Sequence, residues 1–130
     1  ETLWKNPDPH TLPKFGIQTL ILKPGIIGAW ESTKFWTAFA EKNKMNVVLS
    51  SSFESGLSLH WIAFTSAKLF RKQPAAGLDT AKCFEHDLID PPFKITNGGY
   101  VFPAKWPKAN EKYLQKINDA VTKYWKQNKR

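Results

Sequence analysis

Three short stretches of the chain hold side chains able to do chemistry. Lys23 stands in Leu22-Lys23-Pro24-Gly25, Ser50, Ser51 and Ser52 lead into Phe53-Glu54-Ser55-Gly56, and Gly77-Leu78-Asp79-Thr80 follows later. A lysine in such a place can act as a base, as an electrostatic stabiliser of an anion, or as a stem packed against its neighbours. Consecutive serines offer hydroxyls and backbone N–H groups to a carboxylate, helped by the dipole of a helix that starts just after them. One of them can equally do no more than cap that helix. Glu54 can pair with Lys23 or a metal, or can sit in the first turn of the helix and satisfy its dipole.

These stretches are positioned by an alternation of strands and helices. Thr19 to Leu22 is a short β-rich run that must end at Pro24, which has no N–H to give a sheet ladder. From Trp30 to Lys44 the period becomes helical, with Trp36, Phe39 and Ala40 on one face and Lys34, Glu41 and Lys42 toward solvent. Asn46 to Ser50 reads as a second buried strand. Leu57 to Lys72 reads as a second helix, with Leu59, Ile62, Ala63, Ser66 and Leu69 in one stripe widened by Trp61 and Phe64. It should stop before Pro74. Ala75 to Leu78 is a strand by its place in the order. Strands spaced by helices predict βα units, an α/β fold and a parallel sheet, whose strands are apolar on both faces. Functional groups in such folds collect just past the strands' C-terminal ends, which puts Lys23, Ser50 to Ser55 and Gly77 to Thr80 on one rim.

Beyond Cys83 the character changes. Asp90-Pro91-Pro92 breaks structure, Asn97-Gly98-Gly99-Tyr100 signals a turn, and Tyr100-Val101-Phe102 reads as a short edge strand. Asn110 to Lys126 reads as an amphipathic helix with Tyr113, Ile117, Val121 and Tyr124 on one side. Two segments follow: residues 1–104, the strand-and-helix body with a return segment, and residues 105–130, the basic C-terminal helix. Cys83, the one cysteine, excludes an intramolecular disulfide and a cysteine-rich zinc site, is compatible with a reducing compartment, and is expected as a buried packing thiol.

The totals narrow the function classes. With 130 residues, 42% hydrophobic and 14% aromatic, the chain can bury one core. No apolar run approaches the roughly 20 residues of a membrane span. The start at Glu1 has no signal-peptide pattern and is read as a cut inside a longer protein. The net charge of +8 invites a nucleic-acid partner, yet no RNP, zinc-finger or helix-turn-helix signature accompanies it, and solvated helix faces explain the lysines, so no nucleic-acid partner is expected.

Taken in order, the three stretches resemble the o-succinylbenzoate synthase family of the enolase superfamily. Ile21-Leu22-Lys23-Pro24-Gly25-Ile26-Ile27-Gly28 is similar to that family's K-P-x-x-x-G segment at the sixth barrel strand. Leu49-Ser50-Ser51-Ser52-Phe53-Glu54-Ser55-Gly56-Leu57 resembles S-S-x-x-E-S-x-L at the seventh, and Gly77-Leu78-Asp79-Thr80 resembles G-L-D-T at the eighth. The resemblance covers Glu1 to Phe102. It implies strands six to eight of a (β/α)7β barrel, followed here by a C-terminal amphipathic helix.

It also implies a lyase: a Mg²⁺-assisted dehydration of 2-succinyl-6-hydroxy-2,4-cyclohexadiene-1-carboxylate to o-succinylbenzoate through an enediolate, on the path to menaquinone or phylloquinone. Lys23 would be the catalytic lysine that stabilises the anionic intermediate, with a cation–π contact to the ring. Ser50 and Gly77 would contact the succinyl carboxylate, with Ser51 helping. The family's K-x-K lysine and its Asp, Glu and Asp metal ligands are not found, so no metal ligand is assigned in this chain. The opening Glu1-Thr2-Leu3 matches the family's D-E-[ST]-L one residue after its ligand. The implied partners are a small carboxylate substrate and the remainder of the same barrel, and the implied location is intracellular, cytoplasmic or plastid. Phe53 and Leu57-Ser58-Leu59 look like the plant and algal fusion forms. The isolated chain is expected to be inactive. Two other readings stay open: a non-catalytic ligand-binding or assembly module derived from the barrel, and another enolase-superfamily activity such as an epimerase or racemase.

Overall fold

The computed structural model describes residues 9, 12, 16–72 and 74–128. Strand β1 spans Thr19–Leu22, and Pro24 then opens the one-turn helix α1, Pro24–Ile27. Proline suits a first helical turn because its missing N–H would have no partner there. Gly28 closes that turn at φ 106° and leads into α2, Ala29–Lys42. That φ favours glycine, and a Cβ there would also meet Ser32 Oγ at 2.9 Å. In α2, Trp36 and Ala40 of the expected face are buried and Phe39 is half-buried against them, and Thr33, not expected, is buried on the same side. Asn43 N–H bonds back to Phe39 and Ala40, and Lys44 turns left-handed at φ 55° to release β2, Asn46–Leu49.

The strands β1 and β2 are parallel, with Thr19 opposite Asn46 and Leu22 opposite Leu49. Helix α3, Gly56–Leu69, follows. The third expected strand, Ala75 to Leu78, contracts to a single parallel bridge between Ser50 and Gly77. Gly77 N–H donates to Leu49 O and Ser51 N–H to Gly77 O, each at 2.9 Å. Ala75, Ala76 and Gly77 have little side chain to bury, so only the minimum ladder forms.

The core is one-sided. Leu20 and Leu22 of β1 and Val47 and Leu49 of β2 pack with Trp36 and Ala40 of α2 and with Leu59, Ile62 and Ala63 of α3. Trp61 does not widen the α3 stripe: it is 55% exposed and stands against the Trp106 ring at 5.5 Å.

After a short 3₁₀ turn at Ala81–Cys83, β3 (Ile89–Asp90) pairs antiparallel with β4 (Lys108–Ala109), and α4 runs over Glu111–Gln127. Cys83 ends the 3₁₀ turn exposed, not buried as expected, because a three-residue turn has no inner face to hide it. Asn97 and Gly98 make the expected turn with positive φ at both, closed by Thr96 and Gly99. Tyr100-Val101-Phe102, however, is not a strand: Val101 is 82% exposed with no ladder beside it, while Tyr100 turns inward to His60. No residue of α4 is buried. Among the described residues no helix is long and apolar enough to cross a membrane.

Candidate functional site

Side chains along a strand alternate between faces. In β1, Leu20 and Leu22 are buried against the helices while Thr19 and Ile21 are exposed, and Lys23 continues the exposed series. In β2, Val47 and Leu49 are buried, and Asn46, Val48 and Ser50 form the other series. The ladder runs one step past the strands, since Ser50 N–H donates to Leu22 O at 2.9 Å. Lys23 and Ser50 therefore end neighbouring strands on the same face.

Gly77 completes the row. A Cβ on Gly77 would lie 2.9 Å from Ser50 Oγ, so the glycine leaves open the space that this hydroxyl occupies. Ser50 Oγ itself has only a long contact, 3.4 Å, to Ser51 O. The ion pairs among the described residues, Lys82 with Asp79 and His86 with Glu85, do not involve Lys23. An exposed ammonium and a lightly engaged hydroxyl, the latter seated where a side chain at residue 77 would stand, thus lie across two strand ends and the bridge beside them. That combination suits an anionic group, a carboxylate above all.

Ser51 lies on the other side. It is 5% exposed, its hydroxyl donates to Gly77 O at 3.0 Å and meets Thr80 Oγ1 at 2.9 Å, and its N–H also serves Gly77. Both polar groups are committed to holding the Gly77–Thr80 segment, so Ser51 positions Gly77 from behind.

The N-terminus of α3, expected to help hold a ligand carboxylate, already holds one from the chain itself. Asp87 Oδ1 accepts the Gly56 N–H at 2.8 Å and the Leu88 N–H at 2.7 Å, and Oδ2 accepts from Phe93 at 3.1 Å. A Cβ on Gly56 would overlap Asp87 Oδ2, so glycine is required there by close approach. Ser55 occupies the N-cap position but makes no side-chain cap bond. Glu54 does not pair with Lys23: its Oε2 accepts the Ser52 N–H, and its Oε1 is buried with no hydrogen-bond partner. Asp79 spends its carboxylate on Lys82 at the surface.

Sequence reasoning missed a second polar pair, His60 with Tyr100. His60 is 2% exposed, its Nδ1 is 2.5 Å from the Tyr100 hydroxyl, and the rings of Phe93, Tyr100 and Trp106 surround it. Burial pushes its pKa below the ordinary histidine value, against a smaller upward pull from Asp87. Burial likewise raises the Tyr100 hydroxyl. A neutral imidazole bonded to a phenol is the outcome, well away from Lys23 in sequence and without a local signal of its own.

Among the described residues no group of three or more His, Cys, Asp or Glu side chains can hold a metal ion. The described residues by themselves therefore do not fit the Mg²⁺ that the sequence resemblance implies.

No family model and no curated protein matches the chain. Among solved structures, a crystal structure of a member of the enolase superfamily from Listeria innocua Clip11262 superimposes with a TM-score of 0.64 at 18% identity, covering 76% of this chain and 28% of that one. At that identity the likeness is one of fold. This chain shares the mixed α/β arrangement of part of that protein and spans 28% of its length.

Proposed function

We propose that this chain is the part of an o-succinylbenzoate synthase-type lyase that supplies strands six to eight of the barrel. The observation that carries the proposal is the row Lys23, Ser50 and Gly77 on the uncovered face of the sheet, in the order and at the strand ends where the sequence motifs put them. In the dehydration, a proton leaves the carbon beside the ring carboxylate, the ring C–OH bond breaks, and hydroxide departs with a proton as water, leaving an aromatic ring. Negative charge builds up before the C–OH bond breaks. The Lys23 ammonium faces that charge and has no carboxylate partner among the described residues, so its field is available to the intermediate. The Ser50 hydroxyl, admitted beside the side-chain-free Gly77, takes the succinyl carboxylate, and Ser51 keeps Gly77 in place by holding its carbonyl. No step is assigned to a metal, because the described residues of this chain offer no group of ligands for one. The proton-transfer lysine also lies outside it.

The test is made on the complete polypeptide that covers this sheet, following formation of o-succinylbenzoate by its absorbance. Lys23→Ala should cut kcat by roughly 10² to 10³, the scale of losing one oriented electrostatic group. Ser50→Ala should act mainly on KM. A complete polypeptide that forms no o-succinylbenzoate overturns the proposal. So does a Lys23→Ala variant with unchanged turnover.

A further inference from the structure

A different part of the molecule holds an unmet electrostatic demand. Between the start of α2 and the outer side of α3 lies a cleft of about 490 Å³. Pro24, Gly25, Trp30, Trp61 and Phe64 make its apolar lining, and Glu54 is the one charged side chain among the described residues that line it. One oxygen of Glu54 receives the Ser52 N–H, while the other, Oε1, is buried and receives nothing. Buried polar atoms in native proteins almost always have a partner, so an orphaned carboxylate oxygen beside a cavity marks a missing donor.

Three observations say what kind of donor. Among the described residues no lysine or arginine lines the cleft, so none of them balances the charge of Glu54 there. Trp30 and Trp61 line the same space and are 40% and 55% exposed, offering indole faces that attract cations. Gly25 makes room for Oε1: a Cβ there would stand 2.7 Å from that atom, and no positive φ explains the glycine otherwise, so a turn of the Glu54 carboxyl toward the cleft is what an ammonium there would draw out. A carboxylate ligand would meet the charge of Glu54, and a neutral apolar ligand would leave Oε1 as it is. We propose that the cleft between α2 and α3 binds a small organic cation, a primary ammonium carried on an apolar or aromatic group, with the ammonium on Glu54 and the apolar part between Trp30 and Trp61. The volume lies within the range of small-ligand sites. The cleft lies between α2 and α3 and meets the Lys23 face at the turn of Pro24 and Gly25 and at the loop after Ser50, where Glu54 holds the Ser52 N–H. The amine titration and the turnover assay read the two sites separately.

The experiment titrates the ¹⁵N-labelled chain with phenethylamine, with 3-phenylpropionate as the matched anion, and with N-acetyl-lysine amide as a stand-in for a lysine from another polypeptide. Phenethylamine should move the Gly25 amide and the Trp30 and Trp61 indole signals saturably, with the anion at least about tenfold weaker. Glu54→Gln should weaken the amine about tenfold or more, and Trp61→Ala, an exposed change that leaves the core alone, severalfold. Should Glu54→Gln fail to fold, Trp61→Ala and the anion comparison decide. Equal binding of the anion, no saturable shift by about 10 mM amine, or unchanged binding in folded Glu54→Gln overturns the proposal. Tighter binding of the lysine amide than of phenethylamine would also overturn it, by assigning the cleft to a protein side chain.

Discussion

The two faces of the β1–β2 sheet are built from the same short strands and end in opposite states. On one face Leu20, Leu22, Val47 and Leu49 are 0 to 8% exposed beneath α2 and α3. On the other, Ile21 is 61% exposed, and Thr19, Asn46 and Lys23 are open to solvent beside it. Parallel strands with helices on both sides, or inside a closed barrel, bury both faces. The difference teaches that the helix-covered side is a finished core, while the other is an apolar-and-cationic surface of the kind that further polypeptide covers. The candidate chemistry lies wholly on the unfinished side.

The largest expected contrast comes from changing one residue on each face. Leu49→Ala should cost about 2–5 kcal/mol in urea unfolding, because it opens a cavity in a filled core. Ile21→Thr should change stability by no more than about 0.5 kcal/mol, as exposed substitutions do. Equal losses would mean that the open face is packed in solution and would break the comparison. Next in size, Asp87→Ala should cost about 1–3 kcal/mol, since it strips the acceptor from three backbone N–H groups on the covered side. An unfolding midpoint unmoved by this change would show that water replaces the carboxylate without penalty.

A smaller, pH-dependent effect sharpens the same contrast. The buried His60 holds its proton less tightly than in the unfolded chain, so below about pH 6.5 the unfolded state takes up more protons. The contribution of His60 is therefore complete above that value and is lost as pH falls toward and through its lowered folded pKa. Urea midpoints from pH 8 down to about pH 5 should drop, and His60→Gln should flatten the slope across that window. The smallest effect is on association: the open face should make the isolated chain self-associate, and Ile21→Thr should reduce this in sedimentation. A chain that stays monomeric at all concentrations would count against an uncovered apolar face.

Much of this organisation was legible residue by residue. Pro24 ended β1 where it had to, and the spacing of Trp36 and Ala40 identified the inner side of α2. Even the separation of Ser50 from Ser51 follows from strand alternation, which places successive residues on opposite faces, although treating the serine run as one anion-binding group obscured it. Other features had no local trace. Gly56 and Asp87 are 31 residues apart, and His60 and Tyr100 are 40 apart, with nothing periodic joining either pair. Tyr100-Val101-Phe102 has β-forming residue types but lacks a neighbouring ladder, and the destination of Tyr100 is set by a cavity beside α3 that only the folded chain defines. Cys83 misled for a related reason, since its usual burial depends on an element long enough to have an inside.

The bond between Asp87 and Gly56 also carries a consequence for the order in which the protein is made. A ribosome's exit tunnel releases the start of α3 before it releases the carboxylate that closes its first turn, since that residue comes 31 positions later. Until then the start of the helix must rest on water, and its packing against β2 is provisional. A nascent chain stalled with α3 outside the tunnel and Asp87 still inside it should therefore show a frayed α3 that becomes protected once Asp87 clears the exit, making this one side chain a late checkpoint in the birth of the fold.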